Sequence, residues 1–298
     1  MPLLQVLSSK PRTGKTTVAV ALAQGLAGAG SRVQLLRIGD SEAARADAET
    51  FATLGFAAVP APVKRADAKP APGHLAVVEL DGADEPLDAP AVVVVRGGPG
   101  PEDEALGERL GQRLLGTVAT VVPPGDVEAV ARSLTNAGLR PLAILPEDFR
   151  LAAPLVEDLR HALAADVLYE GENLRMPVEH LLVAPVYTDG AKLHFRRFPG
   201  TRAVLTPSYK TDLILAAIEA EAAAVVITGG HQPSPYVIDR AQGEPVTLLL
   251  AQHQTPAAVA ALSDVWTKGA FSGDSKVEAV RELLSGRIDW ANLLKKIQ

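Results

Sequence analysis

The first half of the chain alternates short apolar, β-rich runs with stretches of helical period, and this alternation predicts a parallel sheet flanked by helices. The runs over 3–8, 33–38, 75–80, 91–95, 117–122 and 142–145 read as strands. The stretches 15–29, 41–55, 102–115, 127–137 and 154–164 read as helices, with Gly28, Gly30 and Gly138 placed to stop them. The Ala/Pro-rich segment 57–73 reads as a loop. A second alternating block begins near Glu170, with strands over 181–184, 203–206, 223–228 and 246–251. Its helices are expected over 211–222, 235–242, 256–262 and 277–284, with a short tail helix over 290–296. The boundary falls within 166–178, which divides the chain into 1–168 and 169–298.

The opening element carries chemistry. In Ser9-Lys10-Pro11-Arg12-Thr13-Gly14-Lys15-Thr16-Thr17 a loop joins the first strand to the first helix. A helix start presents unpaired N–H groups and a partial positive charge, which suits phosphate. Gly14 lets the backbone approach, Lys15 is expected to reach the β- and γ-phosphates, and the Thr16 hydroxyl to ligate magnesium. Lys10, Thr13, Gly14, Lys15, Thr16 and Thr17 are therefore the candidate nucleotide contacts, with ATP and Mg²⁺ as the expected ligands. The competing interpretation is that Gly-Lys-Thr-Thr only opens a helix, with Thr as its cap. The motif also departs from the standard pattern. Ser9 stands where the first glycine belongs, Pro11 and Arg12 replace two glycines, and Pro11 has no N–H to offer a phosphate.

A metal site needs carboxylates. Glu79 and Asp81 end the third strand, where such a group belongs, and Glu79 is paired with Lys15 as the candidate catalytic residue. Thr16, Glu79 and Asp40 are the candidate metal ligands, while Asp47 is weaker. Asp40 reads equally well as a helix cap, and Asp47 and Glu49 as the wet face of a helix.

Composition narrows the classes. The chain has 298 residues, 47% hydrophobic and only 4% aromatic, so Ala, Val and Leu must fill the core. A net charge of −6 argues against a general nucleic-acid binder. With no Cys, disulfides and thiolate chemistry are excluded, and no apolar run is long enough for a membrane span, so a cytoplasmic protein is expected. The six histidines lack metal-ligand spacing. His194-Phe195-Arg196-Arg197-Phe198 has a texture found in nucleic-acid binders, but the chain's acidity favours an alternating strand there. Thr228, Gly229 and Gly230 end a strand at a place where open α/β sheets hold ligands, with Lys210 as an anion partner; alternatively they only make a turn.

These residues resemble a family. Ser9–Thr17, the 33–40 strand followed by Ala46-Asp47-Ala48-Glu49-Thr50-Phe51, Val78-Glu79 and the closing segment Leu142-Ala143-Ile144-Leu145-Pro146-Glu147-Asp148 resemble the dethiobiotin synthetase and cobyrinic acid a,c-diamide synthase group. The segments 203–207, 212–217 and Ile227-Thr228-Gly229-Gly230 resemble a DRTGG domain, in which Tyr209-Lys210 replaces the Asp-Arg pair. The resemblance implies the architecture attached to, or standing beside, certain phosphate acetyltransferases. It implies a P-loop NTPase parallel sheet followed by a smaller α/β DRTGG-like domain, that is, an α/β fold class. The short turn 82–90 differs from the longer substrate-facing element of dethiobiotin synthetases. No acetyltransferase domain lies within these residues, and without Cys there is no glutaminase nucleophile. Three functions stay open: a nucleotide-binding protein with slow or partner-dependent ATPase activity and a regulatory DRTGG domain; an ATP-dependent carboxylate-activating ligase; and an interaction protein with a decayed P-loop. The expected partners are a nucleotide, a metabolic enzyme and a second copy joined through the C-terminal domain, with neither nucleic acid nor membrane.

Overall fold

The computed structural model describes residues 2–57, 59–81, 84–172, 174–184, 190–268, 271 and 274–298. Ala58 in the expected 57–73 loop and Gly82 in the expected turn after the third strand lie outside the described residues. The chain opens with β1 (Leu3–Leu7), α1 (Lys15–Gly28), β2 (Val33–Arg37), α2 (Glu42–Thr53) and β3 (Leu75–Glu79). There follow β4 (Ala91–Arg96), α3 (Pro101–Leu110), β5 (Leu114–Val122), α4 (Val127–Asn136) and β6 (Pro141–Pro146). The six strands form one parallel sheet in the order β2-β3-β1-β4-β5-β6. Parallel strands are covered on both faces and so read as continuous apolar runs, as Val92-Val93-Val94-Val95 does. Helix α3 is shorter than the expected 102–115, because the chain turns at Gly111 and β5 already begins at Leu114.

Register sets up the site. Arg37 lies opposite Glu79, and Glu79 opposite Val6, so the ends of β2, β3 and β1 line up along one edge of the sheet. The loop into α1 leaves from that edge. Helix α1 buries Val18 through Ala23 in an unbroken run as well as Leu26, so it is apolar all round rather than amphipathic. Such a helix needs cover on its outer side as well as from the sheet.

The second unit comprises α5 (Phe149–Ala152), α6 (Val156–Ala162), β7 (Asp166–Tyr169), β8 (His180–Val183), α7 (Ala191–Arg196) and β9 (Arg202–Pro207). It continues with α8 (Thr211–Glu219), β10 (Ala224–Thr228), α9 (Pro235–Ala241), β11 (Thr247–Leu250), α10 (Thr255–Ser263) and α11 (Val265–Lys268). The sheet order is β7-β11-β10-β9-β8, with β8 to β11 parallel and β7 antiparallel at the edge. Two clusters of buried side chains, one per face, cover this sheet with helices of the same unit. Strand β7 has no counterpart among the expected strands: Asp166 and Val167 are exposed at an edge, so no apolar alternation marks it. The expected strand over His194–Phe198 is corrected to helix α7 and its end. Ala191 and Phe195, one helical turn apart, are the residues it buries, while Arg196 reaches the Glu219 carbonyl.

Two tail helices, α12 (Asp274–Leu284) and α13 (Trp290–Ile297), complete the chain. Contacts group Met1–Asp148 with Lys276–Gln298, and Phe149–Ser275 separately. This grouping does not coincide with the division at 168/169, because α6 and β7 pack into the second unit and the tail packs with the first. Helix α13 supplies the outer cover that α1 requires: a Cβ placed on Gly25 would lie 2.4 Å from the Trp290 ring. Among the described residues no helix is long and apolar enough to cross a membrane.

The Gly25–Trp290 contact reverses an ordinary rule. Ala inside a helix normally stabilises relative to Gly by up to ~1 kcal/mol. Here Gly25→Ala should instead destabilise by roughly 1–3 kcal/mol through overpacking. The same change in a Trp290→Ala background should recover the stabilising sign. Urea unfolding of the four proteins checks this.

Candidate functional site

The loop between β1 and α1 is held by its neighbours. Gly14 takes φ +87°, a left-handed conformation natural to glycine, as it caps α1. Arg12 adopts φ 57°, the same region, at a position where the resemblance would place a glycine. Such a conformation costs a side-chain-bearing residue about 1 kcal/mol or more, so the loop keeps its shape despite the replacement. Thr120 on β5 donates its hydroxyl to the Thr13 carbonyl at 2.6 Å, anchoring the turn from below. Ser9 donates to Asp103 at 2.6 Å, and Asp103 also accepts the Gly100 N–H that starts α3. The hydroxyl that replaces a glycine therefore ties the loop to the next helix.

Lys15 opens α1 with its side chain buried, its ammonium donating to the Ser8 hydroxyl at 2.9 Å. Burial lowers its pKa, against the opposing attraction of Glu79. The Thr16 hydroxyl lies 3.1 Å from Glu79 Oε1 and 3.1 Å from Asp47 Oδ1. Glu79 is 2% exposed, and its Oε2 has no hydrogen-bond partner. Burial pushes its carboxyl up to about 7; the nearby Asp47 carboxylate adds to the rise, while Arg37, Lys15 and the Thr16 hydroxyl oppose it.

Arg37 closes the cluster. Its Nε donates to Asp47 Oδ2 at 3.0 Å and stands 3.8 Å from Glu79 Oε1. Its two terminal nitrogens bind the Asp81 carboxylate and the Ile38 carbonyl. Burial works against the guanidinium charge, yet the surrounding carboxylates more than offset it and raise the pKa. The structure thus brings Lys15, Thr16, Glu79 and Asp47 together. Asp40, expected as a metal ligand, is exposed beyond β2, and its carbonyl accepts a hydrogen bond from Arg45. Lys10 is exposed and lies 3.7 Å from Glu102 on α3. Thr13 is buried with its hydroxyl unpartnered, and Thr17 is half-buried on the first turn of α1. Arg37 escaped the sequence analysis; the one available signal was a charged residue closing an otherwise apolar strand.

The second group of expected residues sits in the other unit. The Thr228 hydroxyl meets that of Thr255 at 2.7 Å. Gly229 and Gly230 take φ +95° and +71°. Their N–H groups donate to the His253 and Ala251 carbonyls at 2.8 and 3.0 Å, so both are engaged by the segment after β11. Lys210 precedes α8, with its ammonium 5.9 Å from the centre of the exposed Tyr209 ring.

Residues 158–265 match the DRTGG domain model, so the chain carries a DRTGG domain. A phosphate acetyltransferase of Nitratidesulfovibrio vulgaris is 25% identical over 166 residues, which are 51% of this chain and 23% of that protein. The match therefore spans less than a quarter of the acetyltransferase. Among solved structures, the CBS and DRTGG domains of the regulatory region of Clostridium perfringens pyrophosphatase, complexed with the activator diadenosine tetraphosphate, align at 19% identity and a TM-score of 0.34. That alignment covers 46% of this chain and 61% of the other. The MinC:MinD cell division complex of Aquifex aeolicus aligns at 15% identity and a TM-score of 0.36, over 51% of this chain and 84% of that one.

The raised Glu79 pKa makes a signed prediction for the protein without nucleotide or metal. The carboxyl is neutral in the fold below about 7 and in the unfolded chain below 4.5. Its contribution to stability is therefore present below 4.5 and is lost as pH rises through about 7. Gln mimics the neutral form. At about pH 4 Glu79→Gln should nearly match wild type, and at about pH 8 it should be more stable by roughly 3 kcal/mol. Denaturant unfolding in EDTA at both values checks this.

Proposed function

We propose that this chain is a nucleotide-binding regulatory protein, in which the first unit takes a nucleoside triphosphate with magnesium and the DRTGG domain transmits or receives a signal. The observation that carries this reading is the part-buried Thr16–Glu79–Asp47 group, with Glu79 fully buried, beside Lys15 at the start of α1, immediately after the loop. Two buried polar atoms fit such ligands: among the described residues, Thr13 Oγ1 and Glu79 Oε2 both lack hydrogen-bond partners. Thr16, Glu79 and Asp47 would hold the magnesium, which would supply charge neutralisation between the phosphates. Lys15 would bind phosphate oxygen in exchange for its bond to Ser8, and the N–H groups of the first turn of α1 would cradle the anion. Burial of the cluster strengthens each of these interactions by excluding water.

Slow or partner-dependent hydrolysis belongs to the same reading, supported by the loop's departures at Ser9, Pro11 and Arg12. The resemblance of this unit to dethiobiotin synthetases remains a proposal about its origin, supported by Ser9–Thr17 and the strand ending in Glu79. A metabolic enzyme as partner is supported by the alignment with part of a phosphate acetyltransferase. Self-association beyond residue 170 is proposed with a narrower surface than the strand pattern suggested, since both faces of the second sheet are covered by its own helices. Light scattering checks this against the 31.1 kDa of one chain.

The decisive experiment is thermal or chemical unfolding with ATP, with and without Mg²⁺. At a hundredfold the dissociation constant, ATP should add roughly 2.7 kcal/mol to wild type. Lys15→Ala should fold normally and lose that increment. Equal stabilisation of both proteins overturns the proposal.

A further inference from the structure

We infer that Arg37 is a resident cation that shuts divalent metal out of the site until a nucleotide arrives, so that magnesium enters only together with phosphate. This rests on the nucleotide reading above and adds the order and condition of metal entry.

The argument begins with the oxygens that a metal would need. Asp47 and Glu79 each place one carboxylate oxygen 3.1 Å from the Thr16 hydroxyl. A hydroxyl has a single proton, so it can donate to only one of them at a time. The second oxygen is left facing an oxygen, an arrangement that a cation relieves. The cation present is the guanidinium. Arg37 is 3% exposed, binds Asp47 at 3.0 Å and stands 3.8 Å from Glu79 Oε1. The same guanidinium is tethered on its far side by Asp81 and by the Ile38 carbonyl. Its charge is permanent, since Arg does not deprotonate in proteins.

Formal charge then decides the outcome. Asp47, Glu79 and Asp81 carry three negative charges when ionised, against two positive charges on Arg37 and Lys15, leaving −1. Removing Arg37 leaves −2, which matches a divalent ion. Ligand number points the same way: among the described residues no group of three or more His, Cys, Asp or Glu could hold a metal ion. A hydroxyl and two carboxylates fall short of the six oxygens magnesium requires, and phosphate oxygens make up part of the difference. A triphosphate brings those oxygens together with negative charge, and it engages Lys15. The nucleotide therefore changes the balance that Arg37 maintains. Glu79 Oε2, buried and without a partner, is the oxygen left over for the incoming metal.

The test uses Mn²⁺, whose free-ion paramagnetic signal reports binding directly, on the full chain. Wild type should leave the Mn²⁺ signal unchanged when alone, and with a non-hydrolysable ATP analogue should lower it below the level that the analogue gives without protein. Arg37→Gln, shown to be folded by circular dichroism, should take up Mn²⁺ without nucleotide at least roughly tenfold more tightly than wild type. Arg37→Lys keeps the charge and should restore exclusion. The inference is overturned if folded Arg37→Gln gains no nucleotide-independent Mn²⁺ binding. It is equally overturned if wild type binds Mn²⁺ as tightly without the analogue as with it, a comparison that decides the matter should Arg37→Gln not fold. A wild type that never binds the analogue, measured separately by its thermal shift, defeats the parent reading instead. The Mn²⁺ uptake of the Arg37 variants alone still reports on cation exclusion in that case.

Discussion

A buried guanidinium is tolerated in a protein interior only where carboxylates surround it, because desolvating a lone charge costs far more than a fold can absorb. Arg37 is that charge here, and its requirements organise the edge of the first sheet. It draws Asp47 from α2, and Glu79 and Asp81 from the end of β3, toward one point. Thr16 on α1 meets two of the same carboxylates, so four elements converge on a single electrostatic knot. Breaking a buried pair by removing one partner costs about 3–5 kcal/mol, so the cluster also holds β2, β3, α1 and α2 in register. The groups proposed to meet metal and phosphate are the same ones that hold the cluster together.

The loop between β1 and α1 depends on a second, weaker constraint. With Ser9, Pro11 and Arg12 in it, the loop must obtain its shape from contacts. Thr120 grips the Thr13 carbonyl, Ser9 binds Asp103, and Arg12 accepts a left-handed backbone that its side chain disfavours. On the other side of α1, the flat face of Trp290 rests on Gly25, so the tail of the chain supports the helix that begins at Lys15. The DRTGG domain is organised differently. Its sheet is filled on both faces by its own helices, and Gly229 and Gly230 direct their N–H groups to the segment after β11. Their positive φ values serve a tight crossing between strand ends, whatever further contact they make.

Much of this was legible in the linear chain. The six strands of the first unit and the strand–loop–helix around Gly14-Lys15-Thr16 follow from local apolar runs, glycine placement and the chemistry of a helix start. That Glu79 stands at the end of β3 was legible from the apolar run Leu75-Ala76-Val77-Val78 that precedes it. Arg37 was not, since a charged residue after Val33-Gln34-Leu35-Leu36 reads as the point where a strand meets water. Nor was the choice between Asp40 and Asp47, which depends on the direction α2 takes after Ser41 caps it. The alternating texture of His194–Phe198 fits both a strand and a helix, and only the burial of Ala191 with Phe195 distinguishes them. What the sequence by itself determined was the order of elements and the strand–loop–helix that places Lys15 and Thr16 at the start of α1, because both rest on interactions between near neighbours. What only the tertiary structure decided was which carboxylates face Thr16, that a guanidinium stands among them, and that Trp290 covers Gly25, because each joins residues far apart in the chain through packing that no local pattern records.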